Sequence, residues 1–188
     1  MRKQILNLVL IAVFLIVSLG TKAQLSITNL NTNFVIDFEN TVNGVNNGTY
    51  AGTGFALTPD PGQLDANAWE IIGMSDGLKY FGDEQTTGDF ARGTSLTSNT
   101  GGLYSYEVAT GDWALGIQPA GSGPDMTNNA YIALKVQNNT GTDINQIKFD
   151  YDVWVYNSQN RSQIFNGEYS LDGTTWIAVT ELNFETPL

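Results

Sequence analysis

Phe149-Asp150-Tyr151-Asp152-Val153-Trp154-Val155-Tyr156 alternates with a period of two. Phe149, Tyr151, Val153 and Val155 fall on one side of an extended chain, and Asp150, Asp152, Trp154 and Tyr156 on the other. Extended back to Ile144, the run predicts the longest strand of the chain, Ile144 to Tyr156. Working outward, Tyr131 to Gln137 alternates in the same way and buries Ile132, Leu134 and Val136. Leu103 to Val108 and Trp113 to Ile117 flank a turn at Gly111-Asp112. Trp69 to Ile72 is a short apolar run. Phe34 to Glu39 sets Phe34, Ile36 and Phe38 against Asp37 and Glu39. Ile164 to Leu171 and Trp176 to Val179 are joined through Asp172-Gly173, a hairpin signal because glycine accepts positive φ without steric cost.

No amphipathic helix interrupts this series, so the crossover connections of a parallel α/β sheet are missing. The expected fold is all-β: an antiparallel two-sheet sandwich, jelly-roll-like. Ile36, Phe38, Ile132, Leu134, Val136, Phe149, Tyr151 and Val153 are its expected inward set. Asn40 to Gly54 and Asp76 to Gly102, rich in Gly, Asn, Thr and Asp, read as loops on that scaffold.

The N-terminus predicts export. Arg2 and Lys3 precede an apolar run from Ile5 to Leu19, and Thr21-Lys22-Ala23 offers a cut before Gln24. This is the layout of a signal peptide, helical as an isolated segment, and its apolar part is shorter than the roughly 20 residues a spanning helix needs. Residues 1–23 are thus expected to be removed, leaving 24–188 as a single domain with no membrane insertion. The stretch Glu181 to Leu188 looks like the start of another extended segment, so a longer polypeptide, truncated here at its C-terminal end, is expected.

The chain carries 19 acidic against 8 basic residues, a formal charge of −11. Arg2, Lys3 and Lys22 belong to the leader, so the remainder is more acidic still. A phosphate backbone would be repelled, which argues against nucleic acid as a partner. Divalent cations and neutral polymers such as glycans remain compatible. The sequence has no cysteine and no histidine. Disulfides, thiol nucleophiles, thiolate metal sites and Ser-His-Asp triads are therefore excluded.

Four segments together resemble secreted bacterial β-sandwich modules of large surface proteins, modules of unsettled function. They are Phe34-Val35-Ile36-Asp37-Phe38-Glu39, Thr87-Gly88-Asp89-Phe90-Ala91-Arg92-Gly93, Val155 to Ser162, and Tyr169-Ser170-Leu171-Asp172-Gly173-Thr174-Thr175-Trp176. The resemblance implies an extracellular or cell-surface location on a bacterium. Longer members continue into a strand with paired aspartates, further domains and a C-terminal export signal, none of which this sequence contains.

Three sets of residues could carry chemistry. Asp37 and Glu39 match the latter part of a laminarinase-like catalytic strand, but Val35 stands where the nucleophilic glutamate belongs, so no catalytic residue is assigned. Asp83, Glu84 and Asp89 share one Gly-flanked loop, with Asp76 nearby, and offer hard oxygens for a structural calcium ion. Trp154 and Tyr156, on the same strand face as Asp150 and Asp152, suit a surface on which sugar rings stack while carboxylates take hydroxyls. Trp69, Trp113 and Trp176 are expected in the core, and Arg161 as a structural partner of Asp152 or Glu168. The expected function is a non-catalytic extracellular binding or adhesion module, carbohydrate-binding and calcium-stabilised. The alternatives are a carboxylate-based glycoside hydrolase and a structural spacer of a surface protein.

Overall fold

The computed structural model describes residues 24–119, 130–156, 160 and 162–187. Residues 1–23, expected to be a signal peptide, and Arg161 lie outside the described residues. Within the described residues the chain is all-β, with short strands, two single-turn 3-10 segments and no α-helix. It divides at Asp143/Ile144 into two compact units. Among the described residues no helix is long and apolar enough to cross a membrane.

The first unit contains β1 (Leu25–Ile27), β2 (Phe55–Ala56), β3 (Leu64–Asp65), β4 (Trp69–Met74), β5 (Gly77–Lys79), β6 (Gly102–Ala109), β7 (Asp112–Gln118), β8 (Tyr131–Leu134) and β9 (Val136–Asn138). Strand β4 lies between β5 and β8, antiparallel to both, with Trp69 opposite Leu134 and Ile71 opposite Ile132. Strands β6 and β7 form the longest hairpin, turning at the expected glycine, Gly111. Two pairs run parallel: β1 with β9, and β2 with β3. None of these small sheets closes on itself.

The core is built from Leu25, Val45, Tyr50, Phe55, Leu64, Trp69, Ile71, Met74, Phe90 and Leu103 with alanines between them. Each large side chain among them contributes about 1.5–3 kcal/mol by leaving water. Ile36, Phe38, Ile132 and Leu134 pack against this core as their alternation implies, whereas Val136 is exposed. Strand β9 is entirely exposed and meets β1 at the rim of the unit.

Two segments read as surface loops carry part of the core. Val45, Asn46 and Tyr50 are buried in the first, Lys79, Asp89 and Phe90 in the second. The Asn46 side chain replaces missing ladder partners: its oxygen accepts from Val42 N–H, and its Nδ2 donates to the carbonyls of Asn40 and Gly48. Close backbone contact joins the two segments. Gly93 N–H donates to Gly52 O at 2.9 Å, and Phe55 and Gln85 exchange both backbone bonds. Gly52, at φ +67°, is required because a Cβ there would stand 2.2 Å from Gly93 O.

The expected strand Phe34 to Glu39 does not form. Phe38 has φ +61°, and the segment bends instead of pairing. The reason is Asp37, whose carboxylate accepts from Glu39 N–H, Asn40 N–H and Asn40 Nδ2 and so folds the chain into a side-chain-closed turn.

The second unit contains β10 (Ile164–Phe165), β11 (Glu168–Tyr169), β12 (Ile177–Ala178) and β13 (Phe184–Glu185), paired β10 with β13 and β11 with β12, both antiparallel. The expected Asp172-Gly173 hairpin is present. Asp172 accepts from the N–H groups of Thr174 and Thr175, and these bonds hold its carboxyl well below the usual range. Ile144 to Tyr156, by contrast, is not a strand. Alternation sorts its faces, but a strand also needs a ladder partner, and among the described residues none pairs with it. Phe149, Tyr151 and Val153 are correspondingly exposed rather than inward, and none of the described residues of this unit is buried. Trp176 is exposed and Trp113 half-buried, leaving Trp69 as the tryptophan of the core.

Candidate ligand-binding surface

Segment 144–156 is fixed at one point by Tyr151, whose hydroxyl donates to Leu182 O in the 3-10 turn Thr180–Leu182. The Phe149 and Tyr151 rings lie 5.9 Å apart at 34°, so the two side chains share a side as their spacing predicts. Between this segment and the turn is an open cleft of about 550 Å³, lined by Phe149 to Val153 and Glu181 to Phe184. Asp150 and Asp152 border the cleft together with Glu181 and Asn183. Asp150 also pairs with Lys148 at 3.3 Å, a solvent-exposed contact of little energetic weight.

Trp154 and Tyr156 follow on the same segment but are not walls of the cleft. The two residues are 57% and 77% exposed. Large aromatic faces open to water are the property a stacking platform needs. Glu181 and Asn183 were not singled out from sequence, since a lone carboxylate and amide near a Pro-containing tail carry no pattern.

The carboxylates expected to gather around calcium are not brought together. Asp83 accepts from Tyr80 N–H, and Glu84 from Leu57 N–H. Asp89 is buried and holds the Arg92 guanidinium, Ser75 Oγ and Asp76 N–H, while its own N–H donates to Asp76 Oδ2. The Thr87 to Gly93 motif is thus an internal brace: Arg92 bonds Asp89 and Gly101 O, and its backbone N–H donates to Leu103 O. Among the described residues no group of three or more carboxylates is placed to hold a metal.

Asp37 and Glu39 are likewise engaged. Burial would raise the Asp37 carboxyl, but the donors from Asn40 and Glu39 outweigh it and hold it below its ordinary value. Glu39 accepts from Trp113 N–H at the start of β7.

Lys79 is the least expected of the polar residues. It is fully buried, with Nζ donating to Trp69 O at 2.7 Å, Ala66 O at 2.8 Å and Tyr80 O at 3.2 Å, and it lies 5.0 Å from the Phe55 ring centroid. Burial pushes its ammonium down to about 8, against the opposing pull of Asp83, Glu70 and Asp65. No protein-family description, curated protein or solved structure matches the chain.

Proposed function

We propose that the chain is a non-catalytic binding module, exported to the outside of a bacterium as part of a longer surface polypeptide, whose ligand is a glycan. The observation that carries this reading is the exposure of Trp154 and Tyr156 beside Asp150 and Asp152. Stacking would supply contact area, and the carboxylates and Asn183 would accept or donate to hydroxyls along the adjoining cleft. The scaffold assigned to the module is a jelly-roll-like two-sheet sandwich, a reading supported by its antiparallel hairpins. Hydrolysis has little support, because the oxygens of Asp37 and Glu39 already serve backbone N–H groups.

The test is a glycan array on residues 24–188, followed by Trp154→Ala and Tyr156→Ala. Each variant should weaken binding at least tenfold while changing stability by less than about 0.5 kcal/mol, as for exposed positions generally. A loss of about 3 kcal/mol or more on Trp154→Ala would mark a core residue instead and end the platform reading. A blank array would favour the spacer or partner-docking reading, to which the exposed Ile147, Ile164, Leu171 and Ile177 also lend weight.

A further inference from the structure

Glycine follows asparagine at Asn43-Gly44, Asn47-Gly48 and Asn166-Gly167. In such a pair the backbone nitrogen of the glycine can reach the side-chain amide carbon of the asparagine and close a five-membered ring. Glycine, without a Cβ, leaves that nitrogen open to move. The three dipeptides are chemically identical, so any difference between them comes from the fold. Two are restrained. Gly48 N–H donates to Thr41 Oγ1 at 2.9 Å, and Asn47 Nδ2 donates to Pro59 O at 2.8 Å. Gly167 N–H donates to Asn183 Oδ1 at 3.0 Å, and Leu182 packs so closely that a Cβ on Gly167 would stand 2.4 Å from its own.

Asn43-Gly44 has neither restraint. Asn43 is exposed, and among the described residues neither its amide nor the Gly44 N–H takes part in a hydrogen bond. The pair forms the tip of a turn that is closed behind it, Val45 N–H and Asn46 N–H both donating to Val42 O, at 2.9 and 3.1 Å. Gly44 itself, at φ +76°, is seated against the backbone of Gln24, where a Cβ would stand 2.6 Å from Gln24 O. Gln24 leads directly into β1, whose Leu25 belongs to the core.

We propose that Asn43-Gly44 is a self-modification site, the pair at which the folded chain deamidates, and that the product loosens the attachment of β1. The Gly44 nitrogen attacks Asn43 Cγ. A bond from that nitrogen to Cγ forms, the bond from Cγ to the amide nitrogen breaks, and the amide leaves as ammonia with the proton that Gly44 gives up. Water then opens the succinimide at either carbonyl, so no oxidant or reductant is needed. One opening leaves aspartate. The other leaves isoaspartate, whose main chain runs through the side chain and is longer by one atom. A turn lengthened in this way cannot keep Gly44 on its seat against Gln24 and also hold both bonds to Val42 O. The turn therefore acts as an age-dependent release of the first strand, independent of the glycan surface.

The test is incubation of the purified protein in mildly alkaline buffer, folded and in urea, with peptide mass spectrometry of the three pairs and labelling by isoaspartyl methyltransferase over time. Unfolded, the three pairs should react at similar rates. Folded, Asn43 should lead each of the others by about fivefold, since each of those must first break a hydrogen bond worth roughly that factor. Thr41→Val removes the acceptor of Gly48 N–H and should raise the Asn47 rate several-fold while leaving that of Asn43 unchanged. Aged wild type should lose a few degrees of Tm in proportion to its isoaspartate. Asn43→Gln, whose longer side chain closes a ring poorly, should keep its Tm through the same incubation. Freshly prepared Asn43→Asp carries the charge on an ordinary backbone and should melt as unaged wild type does. Equal rates at the three pairs in the folded protein, or a lead by Asn47 or Asn166, would overturn the site. An unchanged Tm once Asn43 has become isoaspartate would overturn the release.

Discussion

Replacing Lys79 by methionine should abolish a rise in stability that the native protein shows between about pH 8 and 10. The buried ammonium titrates near 8, against 10.5 for the same group in the unfolded chain. That gap corresponds to about 3 kcal/mol. In the window between the two values the unfolded chain still holds a proton that the folded chain has released, so stability increases with pH. Over the two pH units from 8 to 10 the gain should reach about 2 kcal/mol. Above pH 10 the tyrosines reverse the trend. Burial, with Tyr104 nearby, raises Tyr106 to about 12, and burial with the bond to Glu70 does the same for Tyr131. Both keep phenolic protons that the unfolded chain loses, so stability falls again and a maximum should appear near pH 10. Urea denaturation at closely spaced pH values, for wild type and Lys79→Met side by side, provides the measurement. The slope difference is the readout, since the cost of leaving three carbonyls without their donor is nearly constant with pH. Parallel curves for the two proteins, or a wild type whose stability only declines above pH 8, would refute the reasoning.

Two further substitutions probe the same interior. The Tyr50 hydroxyl is buried without a hydrogen-bond partner among the described residues, and burial raises its pKa. Tyr50→Phe removes that unsatisfied group and should stabilise the protein by about 1 kcal/mol in denaturant melts; a loss of that size would reveal a partner for the hydroxyl. Arg92→Met takes the guanidinium from buried Asp89 and should cost about 3 kcal/mol, the lower end for a broken buried pair because Arg92 is partly exposed. A shift in the urea midpoint worth less than 1 kcal/mol would show that the brace is not anchored there.

Strand β4 was legible as a short apolar run, β8 because its apolar residues alternate, and β6 and β7 because they flank a glycine turn. The readings failed where side chains overrule periodicity. Asp37 closes a turn in the middle of an alternating run. Strand β5 and the residue after it invert the usual order, exposing Leu78 and Tyr80 while burying Lys79, because three carbonyls converge on the ammonium. No hydropathy pattern encodes that. Of the ligand surface, Trp154 and Tyr156 are exposed, but so are Phe149, Tyr151 and Val153 of the opposite face, and the ladder expected to sort the two faces is missing. Asp83, Glu84 and Asp89 are close in sequence yet serve separate partners, and proximity along a loop says little about which oxygens are free.

The parallel pairing of β1 with β9 joins Leu25 to Val136. A nascent chain exposes β1 long before β9 exists, and at ordinary rates of synthesis the wait is roughly 5–20 s. Through that interval the N-terminal strand has no ladder partner, and buried Leu25 has no native neighbour on the β9 side. The first unit therefore closes late, with its earliest-made segment among the last to find its place, as expected of β topologies dominated by distant contacts. A chaperone or translocation machine working on the emerging polypeptide would meet β1 as free backbone for the whole of that time.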